Sequence, residues 1–423
     1  MAVGHLRSYD GAQWEAVLSS IVTPEAGPAS ERLLLHRDLT RFPAELFQFD
    51  PRIREGWLSD RYFVRAAATL KHAGRDPVVT LQVFARRSGR VAGLYECVRM
   101  LQTQLASGYD YRDLDVWTLR DGDQIEPWDV AFRITGPYVG FAHLETTIDG
   151  VLARRSRVAT NVSRAVAAAG EVPVIYFAPR HDDWRIQTPD GYAARVGGGQ
   201  SVSSDAGAAW WGGEGVGTMP HALIAAYGGD VVAATIGFTR YVQEHEPDVP
   251  VISLVDFGND CVEDSLAVAR AMRTEFGEGV LHGVRLDTSG LLIDKSLVGD
   301  EMLWGREDLR GVNPHLVRKV RAALDAEGFD YVGIVVSGGF TPRRIKKFAE
   351  LDLPIVAYGV GSSVLGRGNE LDGVVPDFDF TADIVEVDGE SVAKVGRHRL
   401  DNPNLLKIDW ELLARADAGE SFD

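Results

Sequence analysis

The sequence predicts an α/β protein in which a barrel of parallel strands is joined to a mixed α+β block. Three observations lead there. Six short apolar runs, VPVIYF, VVAATIG, VPVISLVDFG, VLHGVRLD, YVGIVVSGG and PIVAYGVGSS, alternate with helical patterns between residues 172 and 363. Runs that are apolar throughout suit a parallel sheet covered on both faces. The positions just after them are polar or glycine-rich, and parallel α/β folds gather ligands at those strand ends. The length, 423 residues, exceeds a usual single core and suggests about two or three domains. Such strands fit an open sheet as well as a barrel, and the barrel is favoured.

The elements follow in order. Residues 1–30, with the stretch TPEAGPAS, read as a loosely attached arm within a first domain, 1–145. From Leu33 to Gly140 the signals are α+β: a helix over Asp60 to Ala73, then β-branched and aromatic runs, VVTLQVFARR and AFRITGPYVGF, that read as strands. The second domain, 146–376, opens with a long helix carrying Ile148, Leu152, Val158, Val162 and Val166 on one apolar stripe, stopped by Gly170. After Asp260, residues Val262, Leu266, Ala269, Met272 and Phe276 recur at helical spacing up to Gly277. Asn313 before Pro314 and Thr341 before Pro342 start two more helices. The segment 377–423 returns to strand signals in DIVEV and SVAKVGRH and is expected to pack back on the first domain.

Composition excludes several classes. A net charge of −17 and a pI near 5.1 argue against a nucleic-acid partner, which selects an electropositive surface. Anionic small molecules remain possible, because Arg180, Arg285, Arg343 and Arg344 can set a local positive field. Two cysteines, Cys97 and Cys261, far apart and outside any Cys-x-x-Cys pattern, make a zinc knuckle or disulfide framework unexpected. The first residues lack a basic and apolar leader, and no apolar run approaches about 18 residues, so no membrane partner and a cytoplasmic location are expected.

Chemistry is sought at the strand ends. Arg180 and His181 follow VPVIYF, Asp256 follows VPVISLV, Asp287 follows HGVRL, Ser337-Gly338-Gly339 follow YVGIVV, and Gly359 to Ser363 end PIVAY. Gly338, Gly339, Gly359 and Gly361, with Ser362, can aim backbone N–H groups from two adjacent loops at one phosphate; each cluster alone reads equally well as a tight turn. Asp256 and Asp287 suit Mg²⁺ carrying phosphate, or ribose hydroxyls. Helix capping is the alternative for Asp256, given Asn259 and Asp260 nearby. Arg285, two residues before Asp287 and so on the same strand face, is either a salt-bridge partner or a fork for a substrate carboxylate. His221 opens a helix in GTMPHALI, where a Thr218 cap, Pro220 and free N–H groups make an anion site; an ordinary hydrogen-bonded histidine is the alternative.

Taken together, SDRYFVR, ETTIDGVLARRSRVATNVSRAV, GTMPHALI, HGVRLD, IVVSGGFTPRRI and AYGVGSSV, in this order from about Asp60 to Ile408, resemble the nicotinate phosphoribosyltransferase family. The resemblance implies an irregular α/β barrel with an N-terminal α+β sandwich-like domain completed by the C-terminal segment. It implies dimers in which Tyr62 reaches the neighbour's site, with Phe177 on the other face of the pyridine ring. By the same match Arg180 and Arg285 lie near substrate and phosphates, Asp256 and Asp287 near ribose and magnesium-pyrophosphate, and His221 is phosphorylated by ATP. The implied reaction joins nicotinate to phosphoribosyl pyrophosphate.

The chain departs from the family where relatives often carry Gly-Ser-Arg-Arg and this sequence has Ala178-Pro179-Arg180-His181-Asp182-Asp183. His181 there bonds either substrate or Asp182, and Trp210-Trp211 reads as packing. The same chemistry on nicotinamide is the nearest alternative, which Asp60 does not decide. Quinolinate users resemble shorter chains without the phosphorylated histidine. A sugar-phosphate lyase or isomerase would need a Schiff-base lysine or carboxylate base at a strand end, and Lys295 follows a strand instead of ending one.

Overall fold

The computed structural model describes residues 35–299, 305 and 307–419, so the arm expected over residues 1–30 lies outside them. The strands in chain order are β1 (Val78–Ala85), β2 (Gly89–Arg90), β3 (Asp115–Thr118), β4 (Gln124–Ile125), β5 (Val130–Pro137), β6 (Val174–Tyr176) and β7 (Ser201–Val202). They continue with β8 (Ile252–Leu254), β9 (Gly283–Leu286), β10 (Gly333–Val336), β11 (Ala357–Val360), β12 (Phe380–Val387), β13 (Glu390–Ser391) and β14 (Leu406–Lys407).

An antiparallel sheet runs β13-β12-β1-β5-β3-β14, and a parallel one runs β7-β6-β11-β10-β9-β8. Among the described residues no ladder joins β7 to β8, so the parallel sheet is a curled half-barrel with two free edges. Each sheet has its own hydrophobic core. The core of the antiparallel sheet takes Phe380, Leu406, Trp410 and Leu413 from the end of the chain. Trp410 Nε1 donates to Leu114 O at 2.8 Å, and the fully buried Arg99 holds both carboxylate oxygens of Asp417 at 2.6 and 2.7 Å.

The helix starts follow local chemistry. Asn313 Oδ1 accepts from His315 N and Leu316 N, Thr341 Oγ1 accepts from Arg344 N, and Pro314 and Pro342 occupy first-turn positions. These side chains satisfy N–H groups that have no intrahelical partner.

Three expectations need correction. VVAATIG is the start of the helix Val231–His245: Val231, Ala234, Thr235, Thr239 and Val242 are buried at helical spacing, and Asp230 caps Ala233 N at 2.9 Å. The sixth parallel strand is instead the two-residue β7, too short to leave a periodic signal. Of SVAKVGRH only Ser391 is in a strand, because Asp388 and Gly389, at φ 51° and 85°, turn the chain into a short hairpin. AFRITGPYVGF leaves the sheet at Pro137, and Tyr138–Phe141 is helical. No described helix is long and apolar enough to cross a membrane.

Candidate active site

Parallel pairing brings the carboxyl ends of β6, β11, β10, β9 and β8 to one rim. The positions that follow these strands therefore lie at one end of the sheet.

At β8, Asp256 has a 7% exposed side chain, and its Oδ1 lies 3.0 Å from His221 Nε2. Burial raises its carboxyl, His221 opposes that shift, and Asp287 reinforces it. The capping alternative falls away, since Asp260 caps the helix Cys261–Phe276 through Glu263 N. His221 begins the short helix His221–Ala226 with its side chain 44% exposed. Its N-cap is Pro220, and Thr218 does not cap: the Thr218 hydroxyl is buried without a partner, because the chain is extended between Thr218 and the helix.

At β9, Arg285 lies beneath the mouth. Burial pushes its guanidinium down, Asp287 and Asp256 oppose this, and its Nε is buried without a partner. The carboxylates are otherwise engaged: Asp287 Oδ1 accepts from Ser337 Oγ at 2.8 Å, and Asp256 from His221. Arg285 Nε is thus enclosed by protein without an acceptor. Its Cζ is 5.7 Å from the centre of the Phe177 ring.

At β10, Gly338 and Gly339 take φ 89° and 71°, a left-handed pair that only glycine adopts easily. Arg344 supports this turn from behind, donating to the carbonyls of Gly338 at 2.7 Å and Gly339 at 3.1 Å and to that of Val312. Both of its Nη atoms donate to backbone carbonyls, so it builds the turn and is not poised as a fork for a ligand, while its charge remains beside the loop. Arg343 is exposed.

At β11 the glycines have another cause. A Cβ on Gly359 would stand 2.7 Å from the Phe177 ring, and one on Gly361 would stand 2.8 Å from His181 Nε2. Neither glycine is at positive φ. Both are seats for rings, and Ser362 follows half-buried on the loop. Phe177 N also donates to Val360 O at 2.8 Å.

The loop after β6 carries exposed Arg180 and half-buried His181. Burial, then Arg180 and Arg367, pushes the His181 imidazole down, favouring its neutral form. It does not bond Asp182, whose carboxylate accepts from Arg154 Nη2 at 2.7 Å and from Asp183 N. Arg154 and Arg367, which donates to His181 O at 2.6 Å, are participants that sequence reasoning missed. Nothing in ARRSR or LGRGN distinguishes such anchors from solvated arginines.

Tyr62 stands apart. It is 61% exposed on the helix Arg61–His72, none of whose residues is fully buried, and its hydroxyl donates to Asp60 Oδ2 at 3.2 Å. Its neighbours are Phe63, Glu145 and Asp149, none of them at the strand-end rim. Trp210 is buried against Phe47 and Tyr192. A cleft of about 810 Å³ between Phe49, Met100, Arg154 and Trp210 contains none of the strand-end residues. The described residues hold no group of three or more His, Cys, Asp or Glu fit for a metal, leaving Asp256 and Asp287 as the oxygen donors at the mouth.

Residues 60–156 match the family model of the quinolinate phosphoribosyl transferase N-terminal domain. The chain is 24% identical over 299 residues to nicotinate phosphoribosyltransferase pncB2 of Mycobacterium tuberculosis, covering 70% of this chain and 56% of that one. It therefore spans little more than half of that relative. With pncB1 of the same organism it shares 26% over 370 residues, 80% and 74% of the two chains. Among solved structures, nicotinate-nucleotide pyrophosphorylase from Pyrococcus furiosus superimposes with a TM-score of 0.66 at 30% identity, covering 83% of this chain and 80% of that one. Human nicotinic acid phosphoribosyltransferase has the same fold, with a TM-score of 0.58 at 19% identity over 79% and 75% of the chains.

Proposed function

The chain belongs to the nicotinate phosphoribosyltransferase family, and from that premise we propose that it joins nicotinate to phosphoribosyl pyrophosphate, giving nicotinate mononucleotide and pyrophosphate with ATP coupling. The observation that carries this reading is the convergence of Phe177, Arg285, Asp287 with Ser337, and Asp256 with His221 on adjacent parallel strand ends.

The pyridine nitrogen is already a nucleophile, so the site needs orientation and electrostatics more than a base. Phe177, seated on Gly359, offers a flat platform for the ring. The guanidinium of Arg285 faces the Phe177 ring and supplies positive charge for an anionic group of the substrates, and Arg180 adds positive charge at the rim. The amides of the 338–339 turn and of the 361–362 loop receive phosphate oxygens. Asp256 and Asp287 fit Mg²⁺, since that ion takes hard oxygen ligands, keeps several waters and binds through one or two carboxylates plus substrate phosphates. When bound it would neutralise charge on the leaving pyrophosphate.

His221 takes the ATP-coupling role. With Nε2–H donated to the Asp256 carboxylate, Nδ1 is the free lone pair that accepts the γ-phosphoryl group as the bond to ADP breaks. Asp256 positions the ring and balances the charge that phosphorylation leaves on it. We further propose a homodimer in which the exposed Tyr62 covers the partner's pyridine slot, since Tyr62 lies away from the rim in its own chain.

Arg285, Arg180 and Arg367 around Phe177 and His181 favour a pyridine acid over nicotinamide, because Asp182 is neutralised by Arg154. A panel of nicotinate, nicotinamide and quinolinate with phosphoribosyl pyrophosphate, with and without ATP, tests the reading. Nicotinate mononucleotide formed faster with ATP is the expected result. Turnover of quinolinate or nicotinamide alone would overturn it.

A further inference from the structure

The loop that carries Phe177, Arg180 and His181 is held from two sides, and one of them belongs to the other substrate loop. On one side, Arg154 of the helix Glu145–Ala169 holds Asp182 and also grips the buried Asp190 at 3.0 and 2.7 Å. Arg154 belongs to that long helix and Asp190 is buried, so this anchor does not involve the 361–367 loop. On the other side, the exposed Arg367 closes the 361–367 loop, with its N–H on Ser362 O at 3.2 Å, and donates Nη2 to His181 O at 2.6 Å. The same two loops interlock at the rings, since His181 rests on Gly361 and Phe177 N bonds Val360 O. A movement of the 361–367 loop is therefore passed to the pyridine side through a guanidinium.

We infer that Arg367 is a positioning residue that makes the two substrates bind cooperatively: phosphate held by the 361–362 loop fixes Arg367, and Arg367 fixes the His181 backbone beside the pyridine slot. This rests on the substrate assignment proposed above. Cooperativity of this kind is a coupling free energy and is reciprocal, so each ligand strengthens the other by the same factor. Arg154 and Asp182 hold the loop in both states, so they set the affinity for the pyridine but not the coupling.

The test uses nicotinate and ribose 5-phosphate, which lacks the leaving group and so permits binding without turnover, titrated by calorimetry into the full-length protein. Wild type binds nicotinate about tenfold tighter in the presence of ribose 5-phosphate. In Arg367→Ala the coupling falls to about twofold or less, and Arg367→Lys, which keeps the charge but not the planar fork, is intermediate. Asp182→Ala weakens nicotinate equally with and without ribose 5-phosphate. Coupling unchanged in Arg367→Ala, or lost equally in Asp182→Ala, overturns the inference alone. Wild type that binds ribose 5-phosphate but not nicotinate under either condition overturns the substrate assignment and the inference with it.

Discussion

Replacing Gly359 by alanine separates two explanations of the glycines on β11. The new Cβ would lie 2.7 and 2.8 Å from two Phe177 ring carbons and 3.2 Å from Ser337 Cβ, against an ordinary contact that begins at 3.4 Å. Because β11 is hydrogen-bonded to β6 and β10 on its two sides, the ring and not the strand must yield. The ring retreats by about 0.7 Å, an overpacking change of about 1–3 kcal/mol. Where that cost falls on the pyridine slot, it equals about a 5- to 150-fold loss of nicotinate affinity. Steady-state kinetics should show KM for nicotinate rising at least about tenfold, while KM for phosphoribosyl pyrophosphate moves less than about threefold. A larger effect on phosphoribosyl pyrophosphate than on nicotinate would refute the ring-seat reasoning and return Gly359 to a phosphate loop.

Four other outcomes are expected. Arg285→Met removes a buried, partly unpaired cation, so the melting temperature should hold or rise while kcat/KM drops about 100-fold or more; a large loss of stability with activity retained would contradict the assigned role. Mixing Tyr62→Ala with Asp287→Ala subunits should restore activity through heterodimers that contain one intact site, and no recovery after proven subunit exchange counts against a shared site. His221→Ala should take up no label from γ-labelled ATP and lose ATP stimulation while keeping some basal transfer. A wild type that takes up no label at neutral to alkaline pH refutes the coupling role. Burial pushes the carboxyl of Asp121 up to about 7, far above the ordinary aspartate range, and those of Glu145 and Asp149 up to about 8 and about 7. The folded protein then holds protons that the unfolded chain releases, so stability falls as pH rises through this window. The melting temperature should be higher at pH 6 than at pH 8, with Asp121 alone accounting for about 1 kcal/mol, and Asp121→Asn should flatten the slope.

The parts of this site legible in the sequence are those fixed by strand direction. Asp256, Asp287 and Ser337 follow apolar runs, and parallel pairing brings all such positions together whatever the loops do. The helices starting after Asp260, Asn313 and Thr341 were equally readable, because a cap acts within a few residues. VVAATIG misled because an apolar run of seven residues has no period of its own, and only the burial of Thr239 and Val242 further on shows the helical one. The glycines at the end of β11 have a further cause besides any phosphate contact: a pair of rings some 180 residues away in the chain is seated on them, which no local pattern encodes. Arg344 and Arg154 were hidden for a related reason: an arginine that serves backbone carbonyls or a distant aspartate reads in sequence like one that faces solvent.

The pairing of β1 with β12 has a consequence for how the protein is made. Val79 lies opposite Val387, so a ribosome adding about 5–20 residues per second emits one strand roughly 15–60 s before its partner. During that interval an eight-residue apolar strand, VVTLQVFA, has β5 on one flank and an open edge on the other. Such an edge invites pairing with another nascent chain. The half-barrel, whose strands β6 to β11 all fall between the two, can complete its sheet first and hold the unfinished antiparallel sheet in place. Chaperone dependence and aggregation on C-terminal truncation should therefore trace to β1, far from any catalytic residue.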